Sequence, residues 1–224
     1  HGGQHRLGDD ARRVRRHGVA SGRQGGEDDL RRRLRKRGAA DRDFNFPKDA
    51  TPSLVMFTQK KTLTKNPVAD KGISVITVPD IRWKRRDIKT VALLPASMAK
   101  QAALDAGAND AWFVEDGFVN EGSSNNAFIV TEDGKIITRH LGNEILHGIT
   151  RKAVMELAKR ENLEIEERPF TPEEAYDARE AFSTSASAFV MPVIKIDDHT
   201  LGNGVPGPVT DKLRKLYIEM AKAG

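Results

Sequence analysis

The 224-residue chain contains no cysteine, only 6% aromatic residues and no run of 18 or more apolar residues. The absence of cysteine excludes disulfides and thiolate metal ligands, and it fits a reducing cytoplasm, where we expect the protein. Without a long apolar run, no transmembrane helix is expected, and the N-terminus lacks the apolar core of a secretory signal. The six histidines show no metal-ligand spacing such as HExxH, so no metal site is predicted.

Basic residues are concentrated at one end of the chain. Residues 1–43 contain 13 basic and 7 acidic residues, whereas the remainder contains 24 basic and 25 acidic ones. All of the excess positive charge therefore belongs to the first segment, and the rest is not built to follow phosphate groups. We predict no nucleic-acid partner from this balance and no membrane partner from the lack of an apolar span.

The first segment also differs from the rest of the chain in its content of apolar residues. Large apolar side chains are scarce in residues 1–43, so the segment has little surface to bury. A disordered tail, a basic nucleic-acid-binding arm and a sequence altered by a reading-frame error remain alternative interpretations. Because the first residue is not Met, we expect a fragment of a longer protein, and the texture of a folded enzyme begins at Phe44.

The elements after Phe44 mix hairpins with helices and lack strict βαβ alternation, which predicts an α+β fold with a mixed sheet. Apolar and β-branched runs predict strands at residues 54–58, 73–78, 112–114, 127–131, 135–138 and 189–196. Helices are predicted at 93–106, 150–161 and 209–223, with a further helix starting at the capping box Thr171-Pro172-Glu173-Glu174. Residues 60–72 are interpreted as an exposed linker, and Asp133-Gly134 as a hairpin turn.

Two charged residues are candidates for chemistry. Lys89 lies between Ile88 and an apolar run, where partial burial would lower its pKa and make it a nucleophile, although a surface lysine is the more common case. Glu121 lies in the polar stretch VNEGSSNNAF, interpreted as a loop between strands. It could face a cation or a protonated ring nitrogen, although a solvated loop acid is more common. Asn125 and Asn126 are expected to satisfy the backbone of that turn.

Two short stretches are candidate anion cradles. Gly148 precedes a predicted helix start at Ile149-Thr150, where free N–H groups and the helix dipole favour an anion. Residues 183–187, STSAS, form a hydroxyl-rich turn after a helix and before a strand. Each signal is weak alone, but a lysine, a carboxylate and two cradles without a metal site match the needs of pyridoxal phosphate.

Residues 82–217 resemble the large domain of the class IV (fold type IV) pyridoxal-phosphate enzymes, in their D-amino-acid aminotransferase branch. The matching stretches follow the family order: RWKRRDIKT, LLPASMAKQAALDAGANDAWFV, VNEGSSNNAF, NEILHGITR, RPFTPEEA and FSTSASAFVMPVIKID. The EGSS-type loop favours this branch over the related branched-chain aminotransferases and aminodeoxychorismate lyases.

The resemblance implies a role for each candidate residue. It implies that Lys89 is the Schiff-base lysine and that Glu121 is the partner of the pyridine nitrogen. The residues implied to contact the rest of the coenzyme are Leu146 at the ring and Ile149, Thr150, Ser185 and Ala186 at the phosphate. It also maps Arg42 onto the arginine that binds the substrate carboxylate, with Phe44 where the family usually has His.

The resemblance fails before about Gly38. It therefore implies an anomalous Arg- and Gly-rich segment (1–37), a remnant of a small N-terminal domain (38–65) and a large coenzyme-binding domain (66–224). The implied activity is transfer of an amino group from a D-amino acid to a 2-oxo acid, carried out by a homodimer on small-molecule substrates. A related class IV activity, or an inactive fragment, is the alternative.

Overall fold

The computed structural model describes residues 63–223 together with Phe44, Asn45, Lys48 and Thr51. By its internal contacts the chain divides into a unit of residues 1–60 and a unit of residues 61–224, and all the helices and strands given below belong to the second. The strand predicted at 54–58 and the segment 1–37 lie outside the described residues.

The second unit is built on one mixed sheet with helices on its faces. The helices are α1 (Pro67–Lys71), α2 (Leu94–Asp105), α3 (Ile149–Arg160), α4 (Pro172–Tyr176) and α5 (Pro208–Ala223). The strands are β1 (Ile73–Pro79), β2 (Asp110–Glu115), β3 (Phe118–Gly122), β4 (Asn126–Val130), β5 (Ile136–Thr138), β6 (Ile165–Glu167), β7 (Glu180–Ser185), β8 (Phe189–Ile196) and β9 (His199–Thr200).

The strand order combines parallel and antiparallel pairs. The sheet runs β3-β2-β1-β8-β7-β4-β5-β6, with β9 paired to β8. Strand β1 is parallel to both β2 and β8, and β5 is parallel to β6. The remaining pairs are antiparallel. The predicted mixed sheet of an α+β fold is therefore confirmed.

Local signals account for the elements that were predicted correctly. Pro95 lies in the first turn of α2, where its fixed φ and missing N–H cost nothing. Thr171 and Glu174 form both halves of the predicted capping box at the start of α4. Gly134 has φ +90° in the turn between β4 and β5, a conformation that glycine adopts without strain.

Five elements differ from the sequence prediction, which lacks the strands β3, β6, β7 and β9 and has no helix in the linker. Strands β3 and β7 occupy stretches interpreted as polar loops, because Asn120, Glu121, Ser183 and Thr184 are polar yet at most 4% exposed. Their polar groups lie inside the protein, so the alternation of apolar and polar residues that marks a half-exposed strand does not occur. In the predicted linker, the short helix α1 forms, with Asn66 as its N-cap.

Both faces of the sheet are covered. Adjacent residues of β4 point to opposite faces, so Phe128 stacks on Phe182 with ring centroids 4.6 Å apart in the cluster beneath α3 and α5. Ile129 packs in the other cluster, with Trp112 and Phe170. Strand β4 is thus buried on both sides, and its first residue is fixed by packing as well as by the sheet ladder.

Candidate active site

The side chain of Glu121 is buried and fully engaged. It lies in β3, is 4% exposed and is therefore not a solvated loop acid. One carboxylate oxygen, Oε1, accepts a hydrogen bond from Arg82 Nη1 at 2.7 Å. The other, Oε2, accepts the Leu146 N–H at 3.0 Å and Asn126 Nδ2 at 2.9 Å. Three segments remote in sequence from one another, those of Arg82, Glu121 and Leu146, therefore meet at one carboxylate.

Arg82 is held in place on the side away from Glu121. Its Nε and Nη2 donate to the two oxygens of Asp80 at 2.9 and 2.7 Å, and the side chain of Asp80 is completely buried. The guanidinium lies over the ring of Phe113, 4.2 Å from its centroid. Asn120 Nδ2 donates to Asp80 at 2.9 Å. Arg82 therefore reaches Glu121 as a fixed charge rather than as a mobile surface cation.

The pKa of Glu121 is perturbed by this environment. Burial raises it from the usual 4.5 to about 7, although the Arg82 charge and the hydrogen bonds from Arg82 and Leu146 act in the opposite direction. The carboxyl group is consequently near its titration midpoint at neutral pH. A cation brought beside it would favour ionisation, which is the property expected of a carboxylate that binds a protonated ring nitrogen.

The predicted helix start beyond Leu146 is present. Helix α3 begins at Ile149 with Gly148 as N-cap, and no side chain caps its first turn. Those backbone N–H groups and the helix dipole suit an anion such as a phosphate. Thr150 is buried, with its hydroxyl 3.4 Å from that of Tyr217, and Ile149 is exposed. The Leu146 N–H ties this turn to Glu121, so the carboxylate and the first cradle form one connected unit.

The second predicted cradle is less open. Ser185 is the last residue of β7, and its hydroxyl accepts the Ala188 N–H at 3.1 Å, closing its own turn. Ala186 is exposed. Thr184, the residue before Ser185, is paired with Asn126 across β7 and β4, which places the end of β7 beside the strand that supports Glu121.

Lys89 lies at the end of the segment that begins at Arg82. The Arg86 N–H donates to the carbonyl of Asn143 at 2.9 Å, which joins this segment to the stretch leading to Leu146. Lys89 is exposed, so the expected partial burial is not observed in the single chain. Arg42 lies outside the described residues, and Phe44 is fully exposed.

Sequence reasoning missed Arg82 and Asn126, although both lie in stretches that match the family. The expectation that the two asparagines satisfy the backbone of their own turn is wrong for their side-chain amides. Asn125 Nδ2 donates to Asp110 at 2.8 Å, and Asn126 Nδ2 donates to Glu121 and to the Leu146 carbonyl. For Asn126, the one available signal in the sequence was a polar residue directly before the apolar run AFIV.

Two features are absent from the part of the chain that the structure describes. Among those residues, no group of three His, Asp or Glu side chains is placed to hold a metal ion. No helix among them combines the length and the apolar character needed to cross a bilayer.

Comparison with known sequences matches most of the chain to one family. Residues 27–196 match the sequence profile of amino-transferase class IV. The chain is 38% identical over 181 residues to a D-alanine aminotransferase of Bacillus licheniformis, covering 80% of this chain and 62% of that protein. It is also 38% identical over 186 residues to one of Staphylococcus haemolyticus, covering 82% and 66%. The chain spans somewhat less than two thirds of the length of these curated relatives.

Comparison with solved structures gives the same fold. The holo, PLP-form branched-chain amino acid aminotransferase of Thermobaculum terrenum aligns with a TM-score of 0.63 at 31% identity, covering 70% of this chain and 54% of the other. The branched-chain aminotransferase of Thermoproteus uzoniensis, solved with norvaline, aligns with a TM-score of 0.59 at 30% identity, covering 69% and 52%. The fold predicted from the resemblance is confirmed.

Replacing Glu121 should make stability depend on pH in a defined direction. The folded-state pKa of about 7 exceeds the usual 4.5, so the unfolded chain loses its proton first and Glu121 destabilises the fold as pH rises between these values. As the pH is raised from 5 to 8, we expect the stability of the coenzyme-free Glu121→Gln variant, relative to the parent, to increase by about 2 to 3 kcal/mol. Urea unfolding at both pH values measures this difference, and the same difference at both would contradict the raised pKa.

Proposed function

Because this chain belongs to the class IV aminotransferase family, we propose that it acts as a pyridoxal-phosphate-dependent D-amino-acid transaminase. The proposed reaction moves the amino group of a D-amino acid such as D-alanine to a 2-oxo acid such as 2-oxoglutarate. The observation that carries the proposal is the buried Glu121 carboxylate, which pairs with Arg82 and is tied through Leu146 to the turn before α3.

The described residues fit the coenzyme at both of its ends. Glu121 offers a carboxylate of raised pKa to a protonated pyridine nitrogen, and the uncapped first turn of α3 offers N–H groups to a phosphate. Under the proposal, Ile149 and Thr150 bind the phosphate together with Ser185 and Ala186. Leu146, half-buried between the two ends, packs against the ring.

Each of the proposed site residues has a separate role in the reaction. When bound, pyridoxal phosphate supplies an electron sink and carries the amino group between substrates. Lys89 would hold the coenzyme through its side-chain amine, and the same amine would move the proton at the substrate α-carbon. Glu121 would hold the proton on the ring nitrogen, and Arg82 favours the ionised form of Glu121 and holds the carboxylate in place. Arg42 binds the substrate carboxylate in this proposal.

The comparisons support two candidate amino donors, a D-amino acid and a branched-chain amino acid. The curated relatives at 38% identity are named D-alanine aminotransferases, and the EGSS-type loop favours the same branch. The solved structures at 30–31% identity are branched-chain aminotransferases, which makes branched-chain transamination the second candidate. The higher identity and the loop favour the D-amino acid.

Two assays distinguish these donors. With 2-oxoglutarate as acceptor, we expect D-alanine to be converted to pyruvate at a kcat/KM at least about 100-fold above that for L-leucine, because one site orients one enantiomer for proton transfer. Chromatography of the product acids measures both reactions under the same conditions. Faster reaction of L-leucine would replace the proposal with the branched-chain activity, and no reaction of either would indicate an inactive fragment.

The proposed covalent role of Lys89 is tested by its removal. We expect Lys89→Ala to abolish the visible absorbance band of the coenzyme-loaded protein and to lower turnover about 1,000-fold or more, since the base and the covalent partner are lost together. Lys84→Ala is the matched control, because Lys84 is an exposed lysine in the same segment that pairs with Glu115 at 2.5 Å. It should keep the band and the turnover, and a parent-like Lys89→Ala variant would contradict the assignment.

A homodimer forms part of the proposal. Four apolar side chains around the start of α2 are more than half exposed in the single chain: Val91, Leu93, Leu94 and Met98. A contiguous apolar stretch of this kind typically lies in a protein contact. Light scattering during size-exclusion chromatography should give the mass of a dimer. The Leu94→Lys variant should lower the dimer fraction more than the control variant Val205→Lys, because Val205 is an exposed apolar residue outside this stretch. A monomer mass for the parent would contradict it.

A further inference from the structure

The side-chain amide of Asn126 links the Glu121 carboxylate to the turn before α3. Its Nδ2 donates to Glu121 Oε2 at 2.9 Å and to the carbonyl of Leu146 at 2.9 Å. The same Oε2 accepts the Leu146 N–H at 3.0 Å. An amide nitrogen has two hydrogens, and both have acceptors here. Asn126 therefore bridges the carboxylate and the Leu146 carbonyl, while the Leu146 N–H donates directly to the same carboxylate.

The position of Asn126 is itself fixed. It is 4% exposed and is the first residue of β4, a strand in which all five residues are buried. Its backbone is paired with Thr184 in the ladder between β4 and β7. Because strand and packing already hold the backbone, the amide has little freedom left to lose when it binds the carboxylate. Asn126 therefore acts as a rigid donor.

The other side of the same amide contacts Gly148. A Cβ built on Gly148 would clash with Asn126 Oδ1. Gly148 has φ −66° and ψ 133°, a conformation that any residue can adopt, so a larger residue here would be opposed only by the close approach of Asn126, whose amide would have to move. Asn126 thus touches the carboxylate on one side and, on the other, the residue immediately before the first turn of α3.

We propose that Asn126 is a positioning residue that holds the ionised Glu121 carboxylate at a fixed spacing from the first turn of α3. A ligand that carries a ring cation at one end and a phosphate at the other uses that spacing, so the consequence for binding rests on the proposed function. The contact with the carboxylate does not rest on it.

The charges around Glu121 define what loss of the amide should do. Arg82 faces Oε1 as a cation, Asp80 lies behind Arg82 as an anion, and Asn126 faces Oε2 as a neutral donor. A donor to a carboxylate favours its ionised form. Removing the donor should therefore raise the pKa of Glu121 while Arg82 and Asp80 stay in place.

The first measurement uses the coenzyme-free protein and needs no activity. The side-chain carboxyl carbon of Glu121 is followed by NMR through a pH titration, and its signal is identified by its loss in Glu121→Gln. We expect Asn126→Ala to raise the Glu121 pKa by roughly one unit. Asn126→Asp, which keeps the shape but replaces the donor by an acceptor, should raise it at least as much.

Asn125→Ala is the matched control. Asn125 is the adjacent asparagine, and its amide donates to Asp110 rather than to Glu121. It should leave the Glu121 pKa at the parent value. Equal Glu121 pKa values in the parent and in all three asparagine variants would overturn the proposal, as would an equal rise in Asn125→Ala and Asn126→Ala.

A measurement on the parent protein covers the case in which an Asn126 variant does not fold. The side-chain amide signal of Asn126 should shift with pH at the same midpoint as the Glu121 carboxyl, because its acceptor gains a proton there. An Asn126 amide signal that stays constant through the Glu121 titration would overturn the proposal without any substitution.

The final measurement concerns the coenzyme. The affinity of the chain for pyridoxal phosphate, measured by fluorescence, should fall roughly tenfold in Asn126→Ala and remain at the parent value in Asn125→Ala. A raised Glu121 pKa with unchanged affinity would overturn the positioning role. If the parent binds no coenzyme, the proposed function fails, whereas the titrations still decide whether Asn126 controls Glu121.

Discussion

The structure around the candidate site depends on one buried carboxylate. Removing a carboxylate from water is costly unless its oxygens receive hydrogen bonds and its charge is paired. Glu121 receives both from groups on three other segments: Arg82 follows β1 and the Leu146 N–H precedes α3, both remote in sequence, while Asn126 opens the neighbouring strand β4. None of these three segments can move independently without leaving the carboxylate unsatisfied. The hydrogen bonds of Glu121 therefore fix the relative positions of the segments that would surround a coenzyme.

The charge balance of the cluster explains why the carboxylate remains responsive. Arg82 is shared between Asp80 and Glu121, and Arg86, which approaches Asp80 at 3.4 Å, forms its shorter contact of 2.7 Å with Glu115. Glu121 thus has part of one cation rather than a cation of its own, and burial keeps its pKa near 7. Because the positive charge beside Glu121 is only partial, the site favours a ligand that carries a positive charge.

The parts of the fold that the sequence predicted are those with local causes. Pro95, the capping box at Thr171 and the turn at Gly134 act within a few residues, so their effect is readable along the chain. Strands β3 and β7 were missed because their polar residues are buried, and several of them are bonded to partners far away in sequence. Trp112 Nε1, for example, donates to Ser183 Oγ at 3.2 Å across 71 residues. Likewise, the family resemblance pointed to Glu121, whereas nothing local pointed to Arg82.

The adjacent asparagines have different roles that the sequence alone does not distinguish. Asn125 and Asn126 are chemically identical neighbours, but Asn125 lies in the loop and Asn126 in the strand after it. Asn125 and Ser123 both donate to Asp110 at the start of β2, which anchors the loop to the sheet. Asn126 turns to Glu121 instead. The loop is therefore held at one side while the carboxylate is oriented at the other, and such preorganised polar groups stabilise charge without reorganising during a reaction.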